Sequence, residues 1–255
     1  MRYRLGKTPA RAWQAPGSRF RLGTYADPDA VPKPPAQFGH AGLIGMSGWD
    51  MLANDRYGDC VWAGAAHETM LLNKIAGKTV RFTDFDVLAD YAAVTGFKAG
   101  DAKTDKGTDM QAAAAYRRKT GIVDADGKRH TIAAYLALDP GNLTQLYTAL
   151  YLFGAVGIGL QLPSSVFGQT DRGEIWDVTP GAPLAGGHYV SAVGKLANGH
   201  IHVVSWGAVH TMTGAFLQDY CDEAVAYVSQ ESLVDQKSPE GFDYDTLLAD
   251  LAALG

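Results

Sequence analysis

The chain has 255 residues, of which 47% are hydrophobic and 19% charged, with a net charge of −5 and two cysteines. That length suits one large or two small domains with a full core, and the composition is that of an ordinary globular protein. Scattered Lys and Arg give no electrostatic case for nucleic acid, two cysteines make no disulfide framework, and the longest apolar stretch, Leu146 to Leu160, is too short and too glycine-broken to span a membrane.

Residues 1–45 carry proline runs such as Pro32-Lys33-Pro34-Pro35, which exclude regular helix and central strand, so an extended N-terminal arm is expected. Such an arm packs on its own domain or stays disordered, or else it docks on a neighbour or covers a cleft. Met1 to Arg11 is basic but precedes no apolar run, which argues against a secretory signal and for a cytoplasmic location at synthesis. The domain proper is expected over 46–230, with a tail over 231–255.

Gly58-Asp59 forms a turn that delivers Cys60 to the first turn of a helix ending before Gly77. Asp59 is placed to cap it, and its few polar residues predict a mostly buried helix with an open tip. Thr83-Asp84-Phe85-Asp86 reads as a capping box opening a helix that Gly96 stops, and Met110 to Lys119 as an Ala-rich helix led in by Asp109. Asn142 can cap a helix from Leu143 to Phe153, followed by a buried strand from Ala155 to Leu162. His188 to Val193 and His200 to Trp206 read as strands joined through an Asn198-Gly199 hairpin turn. A helix over Thr213 to Asp222, a strand over Ala224 to Ser229 and a short amphipathic helix within Pro239 to Leu254 complete the chain. Helices first and antiparallel strands later define an α+β fold.

A thiol at a helix start sits where unpaired backbone N–H groups favour the thiolate, so Cys60 is a candidate nucleophile, its alternative being an ordinary buried cysteine. A nucleophile of this kind needs a histidine from another element. Of the seven histidines, His40 lies in the arm, His130 in a polar loop and His210 in a turn. His67 is two turns along the same helix, out of reach of the sulfur. His200 and His202 alternate on one strand without a persuasive third metal ligand. His188 opens an apolar strand after Gly186-Gly187 and is the candidate base. Cys221, among carboxylates, reads as structural.

Cys60 at its helix start, Gly186-Gly187-His188-Tyr189-Val190-Ser191 and then Val204-Ser205-Trp206-Gly207 resemble, in that order, the papain-like cysteine peptidases over residues 46–230. The resemblance implies a helical lobe carrying the nucleophile, packed on an antiparallel β lobe carrying the histidine. It implies Cys60 as nucleophile, His188 as base and Asn54 as a side-chain donor to the oxyanion, with no cofactor and no metal. Val204 stands where the family has an asparagine that orients the histidine, so either another group does this or the site is a Cys-His dyad. Val61 replaces the usual tryptophan after the nucleophile, and the arm is shorter than the family's inhibitory propeptide. The expected activity is hydrolysis of an amide, a peptide bond first, in a peptide or protein substrate through an acyl-enzyme. The alternative is a papain-like domain without turnover, serving as a structural or assembly component of the kind encoded by bacteriophages. It would be virion-associated and would oligomerise or meet an assembly partner through the arm. No nucleic acid or membrane partner is expected.

Overall fold

A computed structural model describes residues 3–11 and 33–233. The helix expected within Pro239 to Leu254, and the part of the arm over 12–32, lie outside the described residues.

Three helices build the first lobe: α1 (Cys60–Ile75), α2 (Asp84–Thr95) and α3 (Met110–Lys119). The Thr83 hydroxyl accepts from Asp86 N–H while the Asp86 carboxylate takes Thr83 N–H, the reciprocal capping box expected, and Gly96 closes α2 in a left-handed conformation. Asp109 caps α3 by accepting from Ala112 N–H. Their apolar faces meet in a core that includes Trp62, Ala66, Tyr91, Met110 and Ile122.

The second lobe is a seven-stranded antiparallel sheet. Its strands are β1 (Phe38–Gly39), β4 (Ala134–Leu138), β5 (Val156–Pro163), β6 (Leu184–Lys195), β7 (Ile201–Ser205), β8 (Ala208–Met212) and β9 (Cys221–Val228). They run in the order β4-β9-β5-β6-β7-β8, with β1 added on β6, and β2 (Ile122–Val123) and β3 (Arg129–His130) pair separately. The period of two in β6 and β9 divides the sheet between two cores. Tyr189, Val225 and Tyr227 pack on the helical lobe. Val190, Ala192, Ala224, Ala226 and Val228 pack in a core that includes Leu146, Leu150 and Phe153 of α4 (Leu143–Phe153) and Phe216 of α6 (Gly214–Tyr220). A further α-helix, α5 (Ser165–Asp171), follows β5. No helix among the described residues is long and apolar enough to cross a membrane.

Several boundaries differ from expectation for a shared reason: pairing overrides local propensity. The helix expected to Asp222 stops at Tyr220, and Cys221 opens β9, because β5 is bonded by β6 on one side and by β9 on the other. His130 is buried on β3, with Nε2 at 2.8 Å from Asp124 and Nδ1 at 2.5 Å from Glu231, instead of lying in a polar loop. His210 lies within β8 rather than in a turn.

A buried ion pair ties the lobes together. Arg117 of α3 meets Glu68 of α1 at 2.7 Å, Tyr189 and Ser191 of β6 donate to the same carboxylate at 2.5 and 2.9 Å, and the guanidinium lies 4.0 Å from the Tyr227 ring centroid. Glu68→Ala would strand a buried guanidinium and should destabilise the fold by about 3–5 kcal/mol in urea unfolding. Glu68→Ala with Arg117→Met should recover much of that loss. A single-variant loss below about 1 kcal/mol, the range of an exposed pair, would contradict this reading.

Candidate active site

Cys60 begins α1 at the seam where this helix meets β6, and it is 2% exposed. The helix tip is thus the closed end, contrary to the expected open one. Asp59 occupies the N-cap position but makes no side-chain cap; its carbonyl accepts from Trp62 and Ala63 N–H instead. Its carboxylate is fully buried and accepts from Asn54 Nδ2 at 3.1 Å, and burial holds its pKa well above the usual carboxylate range. Asn54 also donates to Tyr57 O at 3.1 Å, so its amide group is engaged twice beside the start of α1. The loop before Asn54 holds three non-glycine residues at left-handed φ, namely Asp50, Leu52 and Ala53 at 57°, 51° and 68°. Backbone of that kind is strained and must be held by its surroundings. Here His67 Nε2 lies 3.0 Å from Asp50 O, and Asp50 bridges Gly207.

His188, on β6, has no exposed surface. Its Nε2 lies 2.7 Å from Ser205 Oγ, its ring stacks on Trp206 with centroids 4.5 Å apart, and Nδ1 has no hydrogen-bond partner among the described residues. Ser205 is the side chain that hydrogen-bonds the imidazole among the described residues. Alternation along β7 explains how it does so beside Val204: Val204 points into a small core with Trp49, Leu71 and Val193, and the next residue faces the other way. Ser205 was visible in the Ser205-Trp206-Gly207 sequence, but its role needed the strand's orientation. Burial, with a smaller contribution from His210, pushes the His188 pKa down to about 3.

The arm supplies the lid. Gly6 and Lys7 N–H donate to Gly187 O at 3.2 and 3.0 Å, Thr108 N–H donates to Gly6 O at 2.7 Å, and Thr8 N–H donates to Thr108 O at 3.1 Å. Arg4 N–H donates to Asn54 O at 3.2 Å, and Trp206 Nε1–H donates to Arg4 O at 3.2 Å. Residues 4–8 therefore run between Gly187 of β6 and Thr108 beside α3, with an isolated bridge at Lys7 and the Gly6 backbone against the Cys60 thiol. Burial pushes the Cys60 thiol up to about 12, and Asp59 adds to this. Hydrogen bonds from the backbone of Tyr189 and Gly6, and the charge of Lys7, pull the other way and lose. The lowered pKa expected from a helix start is thus overturned by the exclusion of water. Cys221, also raised by burial, to about 11, is half-buried at the start of β9.

No family model and no curated protein matches this sequence. Solved structures share its fold at low identity, and that fold is the papain-like one, with a helical lobe against an antiparallel β lobe as the sequence implied. Xylellain, a cysteine protease from Xylella fastidiosa, is 13% identical and superposes with a TM-score of 0.67 over 89% of this chain and 97% of its own. ProCathepsin B from Trypanosoma congolense is 14% identical, with a TM-score of 0.58 over 89% and 87% of the two chains. A cysteine protease of Carica candamarcensis is 13% identical, with a TM-score of 0.54 over 76% and 99%.

Because the unfolded imidazole binds a proton near pH 6.5 and buried His188 does so only near 3, the folded chain takes up fewer protons between those values, and stability falls as pH falls through them. The ring nitrogens of His188, followed by NMR, should stay those of a neutral imidazole from pH 8 to pH 5. A midpoint near 6.5 would show that the ring is solvated instead.

Proposed function

We propose that the chain is a thiol hydrolase that cleaves a peptide bond through an acyl-enzyme, with Cys60 as nucleophile and His188 as base, held closed by its own arm. The observation that carries this reading is that Cys60 starts the helix packed on β6 while His188, on β6, has its Nε2 fixed by Ser205 and its Nδ1 without a hydrogen-bond partner among the described residues. The backbone of Tyr189, the residue after His188, lies near enough to the thiol to pull its pKa downward, so the start of α1 and this part of β6 adjoin. The neutral imidazole would carry its hydrogen on Nε2, donate it to Ser205 Oγ, and accept the thiol proton at Nδ1. The sulfur then attacks the carbonyl carbon, the C–N bond breaks as the imidazolium returns its proton to the leaving amine, and water releases the acyl group.

The Cys60 backbone N–H, one of the first in α1 and without an intrahelical partner, is a natural oxyanion donor. Asn54 retains its proposed share only if its amide turns from Asp59 or Tyr57 toward the cleft. Ser205 changes the proposed unit from a dyad to a Cys-His-Ser arrangement in which the serine is a positioning residue. The alternative, an assembly component without turnover, draws on the buried, strongly raised thiol.

Labelling by a thiol-directed, peptide-like electrophile separates these readings. Cys60→Ala should abolish it. A Cβ on Gly6 would lie 1.9 Å from Gly58 O, so Gly6→Val should dislodge the arm, speed labelling at neutral pH and move its pH dependence downward as water returns to the thiol. Labelling that is equal in wild type and Cys60→Ala, or absent even in Gly6→Val, would sink the hydrolase reading. In the Gly6→Val background, Ser205→Ala should slow acylation about ten-fold, the size of one orienting hydrogen bond of about 1.4 kcal/mol, and Ser205→Thr should restore it.

A further inference from the structure

Lys7 is one residue from the Gly6 backbone that lies against the Cys60 thiol, yet its side chain is completely buried. Burying an ammonium is unfavourable by several kcal/mol unless carboxylates receive it. Here Nζ donates to Asp222 Oδ2 at 2.9 Å and to Thr8 O at 3.1 Å, and Glu223 Oε2 lies 3.4 Å away. Gln161 Nε2 donates to Asp222 at 2.7 Å, which holds that carboxylate in place from the pocket wall.

Two features of the fold make this pocket. Successive residues of a strand normally face opposite sides, and Asp222 and Glu223 are successive. Between β5 and β9 the register slips: Gly159 pairs with Glu223 and Leu160 with Cys221, leaving Asp222 as the extra residue of a bulge. Bulges re-aim side chains in this way, and both carboxylates reach the same ammonium. The second feature is Gly159, where a Cβ would stand 2.1 Å from Lys7 Cε and 2.8 Å from Met110 Sδ, so only glycine leaves a channel for the long stem. The backbone of the occupant is held by main-chain hydrogen bonds to Gly187 and Thr108, the mode in which an added strand takes its affinity from the backbone and its specificity from side-chain pockets.

We infer that this pocket, walled by Gly159, Met110 and Gln161 and floored by Asp222 and Glu223, is a specificity pocket for a basic side chain, and that Lys7 occupies it as a stand-in for a Lys or Arg of the peptide substrate. The substrate half of this inference rests on the reading of Cys60 as nucleophile; the ligand chemistry of the pocket does not. Without a cation two carboxylates would face each other in a largely dry site, and burial already lifts Glu223 to about 6 with Lys7 the main influence holding it down. A neutral or acidic side chain leaves that repulsion in place, whereas Lys or Arg relieves it.

The probe is a fluorescent peptide with the sequence of residues 3–11, offered to the full chain carrying Cys60→Ala, Gly6→Val and Lys7→Ala, in which the arm is displaced and nothing is turned over. Anisotropy should show this peptide binding about ten-fold or more tighter than its counterpart with leucine in place of the lysine. Asp222→Asn with Glu223→Gln should erase the difference. Equal affinity for the two peptides, including binding of neither, or a preference that survives the double substitution, overturns the inference. A second measurement uses the chain with Cys60 intact and Gly6→Val with Lys7→Ala: fluorogenic peptides with Arg at this position should be cut with kcat/KM about ten-fold above those with Leu. Cleavage without that preference strikes the pocket and leaves the hydrolase reading standing. Lysine-selective binding without Cys60-dependent labelling strikes the hydrolase reading and leaves the pocket.

Discussion

The exclusion of water from the seam between α1 and β6 is the constraint on which the chemistry of this molecule depends. A helix N-terminus favours a thiolate by about 0.3–1 kcal/mol. Burial acts against it with more force, lifting Cys60 from 9.0 to about 12 and lowering His188 from 6.5 to about 3. Thiol and imidazole are therefore both neutral in the closed molecule, and the buried Asp59 next to Cys60 is pushed toward its protonated form as well. The same dryness that silences the pair would strengthen every dipole aimed at a developing oxyanion once a substrate replaced the arm. What changes between the two conditions is the occupant of the seam, not its walls.

Those walls are stiff because polar groups as well as apolar ones are satisfied across the lobes. Glu68 receives Arg117, Tyr189 and Ser191, so α1, α3 and β6 share one carboxylate. Tyr189 follows His188 directly, and its side chain is anchored two turns of α1 beyond Cys60. Helix and strand are thereby fixed relative to each other at the seam that holds Cys60 and His188. The loop before Asn54 is conformationally expensive, with its left-handed Asp50, Leu52 and Ala53 stitched down by His67 and Gly207, and Trp206 next to Gly207 shares that backbone conformation.

Much of this was legible in the sequence wherever local chemistry decides. Asp109, Asn142 and the Thr83 capping box marked helix starts, Gly96 marked an end, and the order of Cys60, His188 and Trp206 pointed to the fold. What escaped depends on pairing between distant residues. That Tyr220 ends α6 follows from the demand of β5 for a second neighbour, and Asp222 joins Glu223 only through a bulge. Val204 looked like a loss because sequence aligns positions, whereas the sheet presents faces; Ser205, on the face toward His188, makes the contact. The thiol's environment was misjudged for a related reason. Nothing in Leu5-Gly6-Lys7-Thr8 announces that it adds to the seam between Gly187 and Thr108, since main-chain hydrogen bonds leave no side-chain signature.

The arm and an incoming peptide would draw on the same acceptors and donors, Gly187 O and both backbone groups of Thr108, so they exclude each other. A segment tethered to its own domain competes at an effective concentration in the millimolar range, which a free peptide rarely matches. Closure is therefore the default, and opening requires that the arm lose an anchor. Its anchors are unequal. Tyr3 packs on the buried Trp206, whose indole N–H is received by Arg4 O, while Lys7 is sealed against two carboxylates. Displacing the Trp206 contacts exposes little charge. Withdrawing Lys7 leaves Asp222 and Glu223 facing each other without a cation, so the arm departs readily only when another cation takes its place. On this argument the pocket's charge does two things at once: it keeps the chain closed to neutral peptides, and it selects the basic ones able to open it.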